Sequence, residues 1–212
     1  MLNQRREQIA ISLIWLFHLS GLVGLMTSLN NWFIEKTPLN LLACFLILLY
    51  MARVTSWEKI WKIYVFFFGG ILIEWIGVKY GVPFGSYRYG DNLGAKLDGI
   101  PYMMGINWAM LVLITGAIAT KLFQKSWQRI LCGAALMVFL DFFIEPLAPV
   151  FDFWYWENEV VPVQNYVAWF VIAALMHLVY QPTAKDIHYK TSLHLYLAQL
   201  TFFSVYNGYL LI

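Results

Sequence analysis

The chain has 212 residues, 61% of them hydrophobic and 12% charged, with a formal net charge of +2 and a mean hydropathy of +0.64. Soluble domains carry about 25% charged residues, so a soluble protein of this length would lack the polar surface to cover itself, whereas lipid demands an apolar exterior. No Lys/Arg run is long enough to suggest a nucleic-acid patch, and Cys44 and Cys132, each inside an apolar run, fall toward opposite faces and are not expected to pair.

A membrane span needs roughly 20 mostly apolar residues to cross about 30 Å of hydrocarbon. The first such run, 9–29, follows Arg5 and Arg6 and carries His18; it is long, lacks a small-residue cleavage site and is read as retained rather than as a signal peptide. The second, 38–53, is the shortest. The third, 60–80, places Glu74 roughly 9 Å below its end at about 1.5 Å per residue. A long connection follows over 80–100, with five glycines (Gly81, Gly85, Gly90, Gly94, Gly99) and the aromatics Tyr80, Phe84, Tyr87 and Tyr89. Structureless connections of that length are uncommon unless functional. The fourth span is 101–121, and the fifth, 130–150, holds Asp141 and Glu145 four residues apart on one helix face. The next loop, 151–162, is aromatic and acidic together; Asp152, Glu157 and Glu159 in it read as solvated charges. Both loops are too apolar to float in water and are expected to fold back as lids. The sixth span, 163–180, opens near Asn165, and the seventh, 192–212, is the most polar, with Gln199, Ser204 and Asn207. The reading is all-α: a seven-helix transmembrane bundle over residues 1–212, one domain without repeat or linker.

Basic residues orient such a bundle. With the N-terminus inside, the inner segments hold Arg5, Arg6, Arg53, Lys59, Lys62, Lys121, Lys125, Arg129, Lys185 and Lys190, ten against the outer four, Lys36, Lys79, Arg88 and Lys96. The expectation is a multi-pass protein of the cell membrane with a cytoplasmic N-terminus. Ionisable groups at membrane depth are costly unless they pair or face a cavity. His18, Glu74, Asp141 and Glu145 are therefore the candidates, and the carboxylates, with Asn165 and Asn207, fall in the outer half. A polar network that only fixes helix packing is the competing reading, and His18 could simply bond a neighbouring helix. His177, His188 and His194 read as structural or surface groups.

No phosphate-cradling Gly loop, His-rich cluster or Cys/His metal spacing occurs, so neither a cofactor nor a metal is expected. The Asp141-x-x-x-Glu145 pair is a single acidic motif where membrane prenyltransferases use more than one, and the last span has no lysine for a retinal Schiff base. What remains is acid chemistry on an apolar substrate. Burial and a second nearby carboxylate both favour the neutral form of a carboxylic acid, which can then deliver a proton near neutral pH. Aromatic faces steady a neighbouring cation. Together these suit protonation of an isoprenoid double bond, the cation being captured by water or by another double bond.

Two blocks carry a resemblance. The first is Gly81-Val-Pro-Phe-Gly85-Ser-Tyr87-Arg-Tyr89, then Leu93-Gly94, Gly99-Ile-Pro101 and Asn107-Trp108. The second is Asp141-Phe-Phe-Ile-Glu145-Pro146-Leu-Ala148, then Trp154-Tyr-Trp156 and Pro162-Val-Gln-Asn165-Tyr-Val-Ala-Trp169. In order and spacing they resemble the membrane-bound carotenoid biosynthesis family, which includes carotenoid hydratases of the CruF type; the likeness spans about residues 70–170. The resemblance implies cofactor-independent addition of water to the terminal double bond of an acyclic carotenoid end group, giving a tertiary alcohol. It makes Glu74, Asp141, Glu145 and Asn165 the candidates for proton transfer and water positioning, and Tyr87, Tyr89, Trp108, Trp154, Trp156 and Trp169 pocket or lid residues; His18 is added as a substrate contact. The chain departs from the family pattern at Val161, where a Gly is expected before Pro162, and at Glu145-Pro146, where an Asp-Pro pair is expected. A carotenoid cyclase is the nearest alternative, and a non-catalytic carotenoid or lipid carrier the other. The expected partners are an apolar carotenoid and membrane lipid, with room for association with other carotenoid enzymes.

Overall fold

The structure, a computed structural model, describes residues 2–181 and 189–211, so the basic residue Lys185 and the loop histidine His188 lie outside it. The helices are α1 (Leu2–Leu25), α2 (Asn30–Glu35), α3 (Thr37–Met51), α4 (Trp57–Tyr80), α5 (Tyr102–Leu122), α6 (Ser126–Ile144), α7 (Val163–Tyr180) and α8 (Tyr189–Leu210). Helix ends follow local chemistry. Ser56 caps α4 by accepting from the Lys59 N–H, Glu58 and Lys79 sit at the ends that favour their charges, and Gly81 closes the helix at φ +68°. Pro146 has no N–H to continue α6, so the chain tightens into a 3-10 turn over Glu145–Leu147.

Nearly every residue of α5 from Met104 to Ala119 is buried, and α4, α6 and α8 pack around it. An all-round apolar helix belongs at the centre of a bundle. The outer helices turn large apolar side chains outward, among them Leu16, Leu46, Phe68, Leu72, Phe139, Val167 and Leu178, as contact with lipid requires.

Among the described residues, five helices are long and apolar enough to cross a membrane, over Gln4–Leu25, Trp57–Tyr80, Tyr102–Leu122, Ser126–Leu147 and Val163–Tyr180. The other two expected spans are helical but fall outside that set. α3 has 15 residues, about 22 Å of helix at 1.5 Å per residue against about 30 Å of hydrocarbon. α8 spreads Ser192, His194, Gln199, Ser204 and Asn207 along its length. Cys44 and Cys132 are free thiols.

The connections hold strands that an all-α reading omits. β1 (Tyr87–Tyr89) pairs antiparallel with β4 (Trp154–Trp156), setting Tyr87 opposite Trp156, Arg88 opposite Tyr155 and Tyr89 opposite Trp154. β2 (Lys96–Leu97) pairs with β3 (Ile100–Pro101) inside the first loop. Side chains alternate across a strand. Tyr87, Tyr89, Trp154 and Trp156 therefore share one face of the ribbon, while Arg88 lies over the Tyr155 ring at 4.5 Å on the other.

Asp152 staples the ribbon's root rather than standing as a solvated charge. Its Oδ2 accepts from the backbone N–H groups of Asp91 (2.8 Å) and Asn92 (3.2 Å), and its Oδ1 from the Tyr155 hydroxyl (2.8 Å). Asn92 Nδ2 donates to the carbonyls of Ile34 (2.9 Å) and Phe151 (3.0 Å), tying the α1–α3 connection to the same end. In this loop, outside the helices, Lys96 at 2.7 Å holds the exposed Asp91 carboxyl below its usual range. Glu157 and Glu159 are exposed. A Cβ at Gly90 would fall 2.1 Å from Asp152 Oδ1 and 2.4 Å from its carbonyl oxygen. Gly90→Ala is therefore expected to pry the two loops apart, seen as faster proteolysis within 85–100 and a lower Tm.

Candidate functional site

Three carboxylates and an amide lie buried together beneath the ribbon: Glu74, Asp141, Glu145 and Asn165 are each 3% exposed or less. They come from four places in the chain. α4 presents Glu74, α6 presents Asp141, the 3-10 turn that follows it presents Glu145, and the first turn of α7 presents Asn165.

Glu74 accepts three hydrogen bonds. The indole Nε1 of Trp108 donates to Oε1 at 2.8 Å, and the hydroxyls of Tyr87 and Tyr89 donate to Oε2, the latter at 2.7 Å. Two glycines make the approach possible. Gly70 and Gly77 share the Glu74 face of α4, four residues before and three after. A Cβ at Gly70 would lie 2.7 Å from the Trp108 side chain, and one at Gly77 would lie 2.7 Å from both Phe84 and the Tyr87 hydroxyl.

Glu145 also accepts three. The indoles of Trp154 (2.9 Å) and Trp156 (2.8 Å) both donate to Oε2, and Asn165 Nδ2 donates to Oε1 at 2.8 Å. The same Asn165 Nδ2 reaches Asp141 Oδ2 at 3.4 Å, so one amide ties two carboxylates of neighbouring helix turns. Each inward ring of the ribbon thus bonds an acid of the bundle: β1 is clasped to Glu74 and β4 to Glu145.

Between the two clasps lies a cavity of about 20 Å³, lined by Glu74, Phe84, Tyr87, Tyr89, Met104, Glu145, Trp154, Trp156, Asn165 and Trp169. That is room for one water-sized molecule. Its walls are mostly aromatic: Tyr87 lies 5.1 Å from Trp156 between ring centres, and Tyr89 6.4 Å from Trp154. Trp108 stacks on Trp169 at 4.0 Å and 11°, bracing the wall from behind.

Asp141 does not line this cavity; it lies behind Asn165. His18 is not brought to the site either. Its Nδ1 bonds the Ile14 carbonyl one turn back in α1 at 2.8 Å, and its ring meets Phe202 of α8 edge-on. Asn207 donates to the carbonyls of Phe143 (2.7 Å) and Phe203 (2.9 Å), beside the point where Pro146 interrupts α6. His177 bonds Thr115 between helices at 3.0 Å, and His194 accepts from Trp15 at 3.1 Å. Phe84 and Met104 line the cavity without having been singled out as site residues, and Gly70 and Gly77 shape it. The glycines were readable from their helical spacing about Glu74; Phe84 and Met104 carry no local signal of their own.

Comparison with known proteins places this arrangement. A bisanhydrobacterioruberin hydratase of Haloarcula japonica is 29% identical over 116 residues, a stretch that covers 51% of this chain and 40% of that protein's length. No solved structure matches the chain. Residues 36–212, which contain the acid cluster and both halves of the ribbon, match the family described as carotenoid biosynthesis protein. The chain belongs to that family.

Proposed function

We propose that this protein is an enzyme of carotenoid biosynthesis that adds water to the terminal double bond of an acyclic carotenoid end group. Addition of water to an alkene is redox-neutral, so the reaction calls for a proton donor, a shielded cation and a water molecule. The observation that carries the reading is the pair Glu74 and Glu145 bordering one aromatic-walled cavity of about 20 Å³, large enough for a water. A proton from a carboxyl group creates a tertiary cation, the surrounding rings stabilise it, and water captured beside the second carboxylate gives the tertiary alcohol. The hydratase name of the Haloarcula japonica relative agrees with this chemistry. The cavity is too small for an isoprenoid end group, so binding displaces the Phe84 ring or lifts the ribbon, while the polyene lies along the bundle in lipid.

The same proposal includes seven spans in the cell membrane, with α3 and α8 crossing beside the five longer apolar helices and the N-terminus cytoplasmic. The ten-to-four distribution of basic residues supports that orientation. In that orientation the ribbon and acids face the outer side. The enzyme reading is tested by expressing the chain in bacteria that accumulate lycopene. A pigment heavier by one or two waters is expected. An unchanged mass with a shifted spectrum would indicate cyclisation, and no change in either counts against catalysis on this end group.

A further inference from the structure

Resting on that hydration reading, we infer that the two cavity carboxylates have fixed and different duties: Glu74 delivers the proton, reloaded through the Tyr87 and Tyr89 hydroxyls, and Glu145 holds and deprotonates the attacking water. The distinction comes from the partners. Indole N–H and amide N–H groups only donate, whereas a phenol hydroxyl either donates or accepts. All three partners of Glu145, namely Trp154, Trp156 and Asn165, present N–H groups to it. A proton on Glu145 in the resting site would face donors at both oxygens, so this group starts as an acceptor. Glu74 has one donor-only partner, Trp108 on Oε1, and two hydroxyls on Oε2. One of those hydroxyls turns to accept when Glu74 is protonated, both donate when it is not, and a hydroxyl can pass a proton along.

The cycle then balances. The Glu74 O–H bond breaks as a C–H bond forms at the CH carbon of the terminal alkene, leaving the cation on the dimethyl-substituted carbon. The water oxygen bonds to that carbon and one water proton passes to Glu145. That proton returns to Glu74 across the cavity through the tyrosine hydroxyls, restoring both groups with one water added. Asp141, which reaches the cavity only through Asn165, is a positioning residue in this scheme.

The duties are separable by running the purified protein in D2O and weighing both product and recovered carotenoid. Glu145→Gln should still protonate the alkene but fail to capture water. Hydration should fall at least tenfold while the recovered carotenoid gains deuterium as the cation collapses back to an alkene. Glu74→Gln should show neither hydration nor deuterium uptake. Should a carboxylate variant misfold, paired substitutions repeat the test. Trp154→Phe with Trp156→Phe should reproduce the Glu145 pattern, and Tyr87→Phe with Tyr89→Phe should slow hydration and exchange together. Deuterium uptake by Glu74→Gln, or its absence from both Glu145→Gln and the tryptophan pair, overturns the assignment. Failure of the unsubstituted protein to add water at all would instead sink the hydration reading itself.

Discussion

Glutamine in place of Glu74 is expected to slow end-group hydration by about 10²–10⁴-fold, the usual worth of a positioned proton donor, with the helices and ribbon intact. The substitution isolates chemistry from packing because its neighbours tolerate it. The glutamine carbonyl can keep the Trp108 indole as a donor, and its amide can donate to Tyr87 and Tyr89, whose hydroxyls are able to accept. A leucine there does something else. It leaves the Trp108 indole without its acceptor, at about 1–3 kcal/mol, takes the shared carboxylate from Tyr87 and Tyr89, and loosens β1 from α4. Turnover of an acyclic carotenoid, measured beside a thermal melt of each variant, separates the two. Glutamine should lose rate and keep Tm, whereas leucine should lose both. Undiminished turnover by the glutamine variant would remove Glu74 from the chemistry.

The second large effect is structural. Glu145→Leu should destabilise the protein by on the order of 2–6 kcal/mol, because the Trp154 and Trp156 indoles lose their acceptor at about 1–3 kcal/mol each, while the Asn165 amide keeps Asp141 at 3.4 Å. The loss is local to the lid. β4 has no other side-chain bond to the bundle through these two rings, so the ribbon should open while α4, α5 and α6 stay packed. Limited proteolysis should cut within 151–162 well before any helix is cleaved. A ribbon as resistant as that of the unsubstituted protein would show that β-pairing and the Asp152 staple hold it without Glu145.

The helices were written in the hydropathy, and the acids in their own improbability. Apolar runs at 60–80 and 101–121 became α4 and α5 with ends shifted by a few residues. The fifth apolar run extends to 150, whereas Pro146 ends the α-helix at Ile144. That difference matters, since the tightened turn is what aims Glu145 at β4. Glu74, Asp141 and Glu145 stood out because carboxylates are rare among apolar neighbours, and the fold gathers all three with Asn165. What could not be read locally was the partner each acid takes. The Tyr-x-Tyr and Trp-x-Trp spacings do put two rings on one face of a strand. Their pairing, however, joins Tyr87 to Trp156 across the whole of α5 and α6, and neither segment is long enough to announce a strand. His18 drew notice for the same reason as the acids but stands apart from them, its Nδ1 bonded to the Ile14 carbonyl of its own helix, a bond a carboxylate cannot make. Span number was legible only in part: five of the seven expected runs are long and apolar enough to cross among the described residues, and the other two are helical. Helical periodicity identifies a helix, while crossing a membrane depends on length and polarity, where α3 and α8 fall short of the other five.

In the proposed reaction, water held against Glu145 is the group added to the cation. That addition is tested most directly by incubating the purified protein with lycopene in ¹⁸O-labelled water and fragmenting the product. A tertiary alcohol carrying one labelled oxygen at each hydrated end group is expected. A product of unchanged mass, or an alcohol whose oxygen is unlabelled, would contradict it.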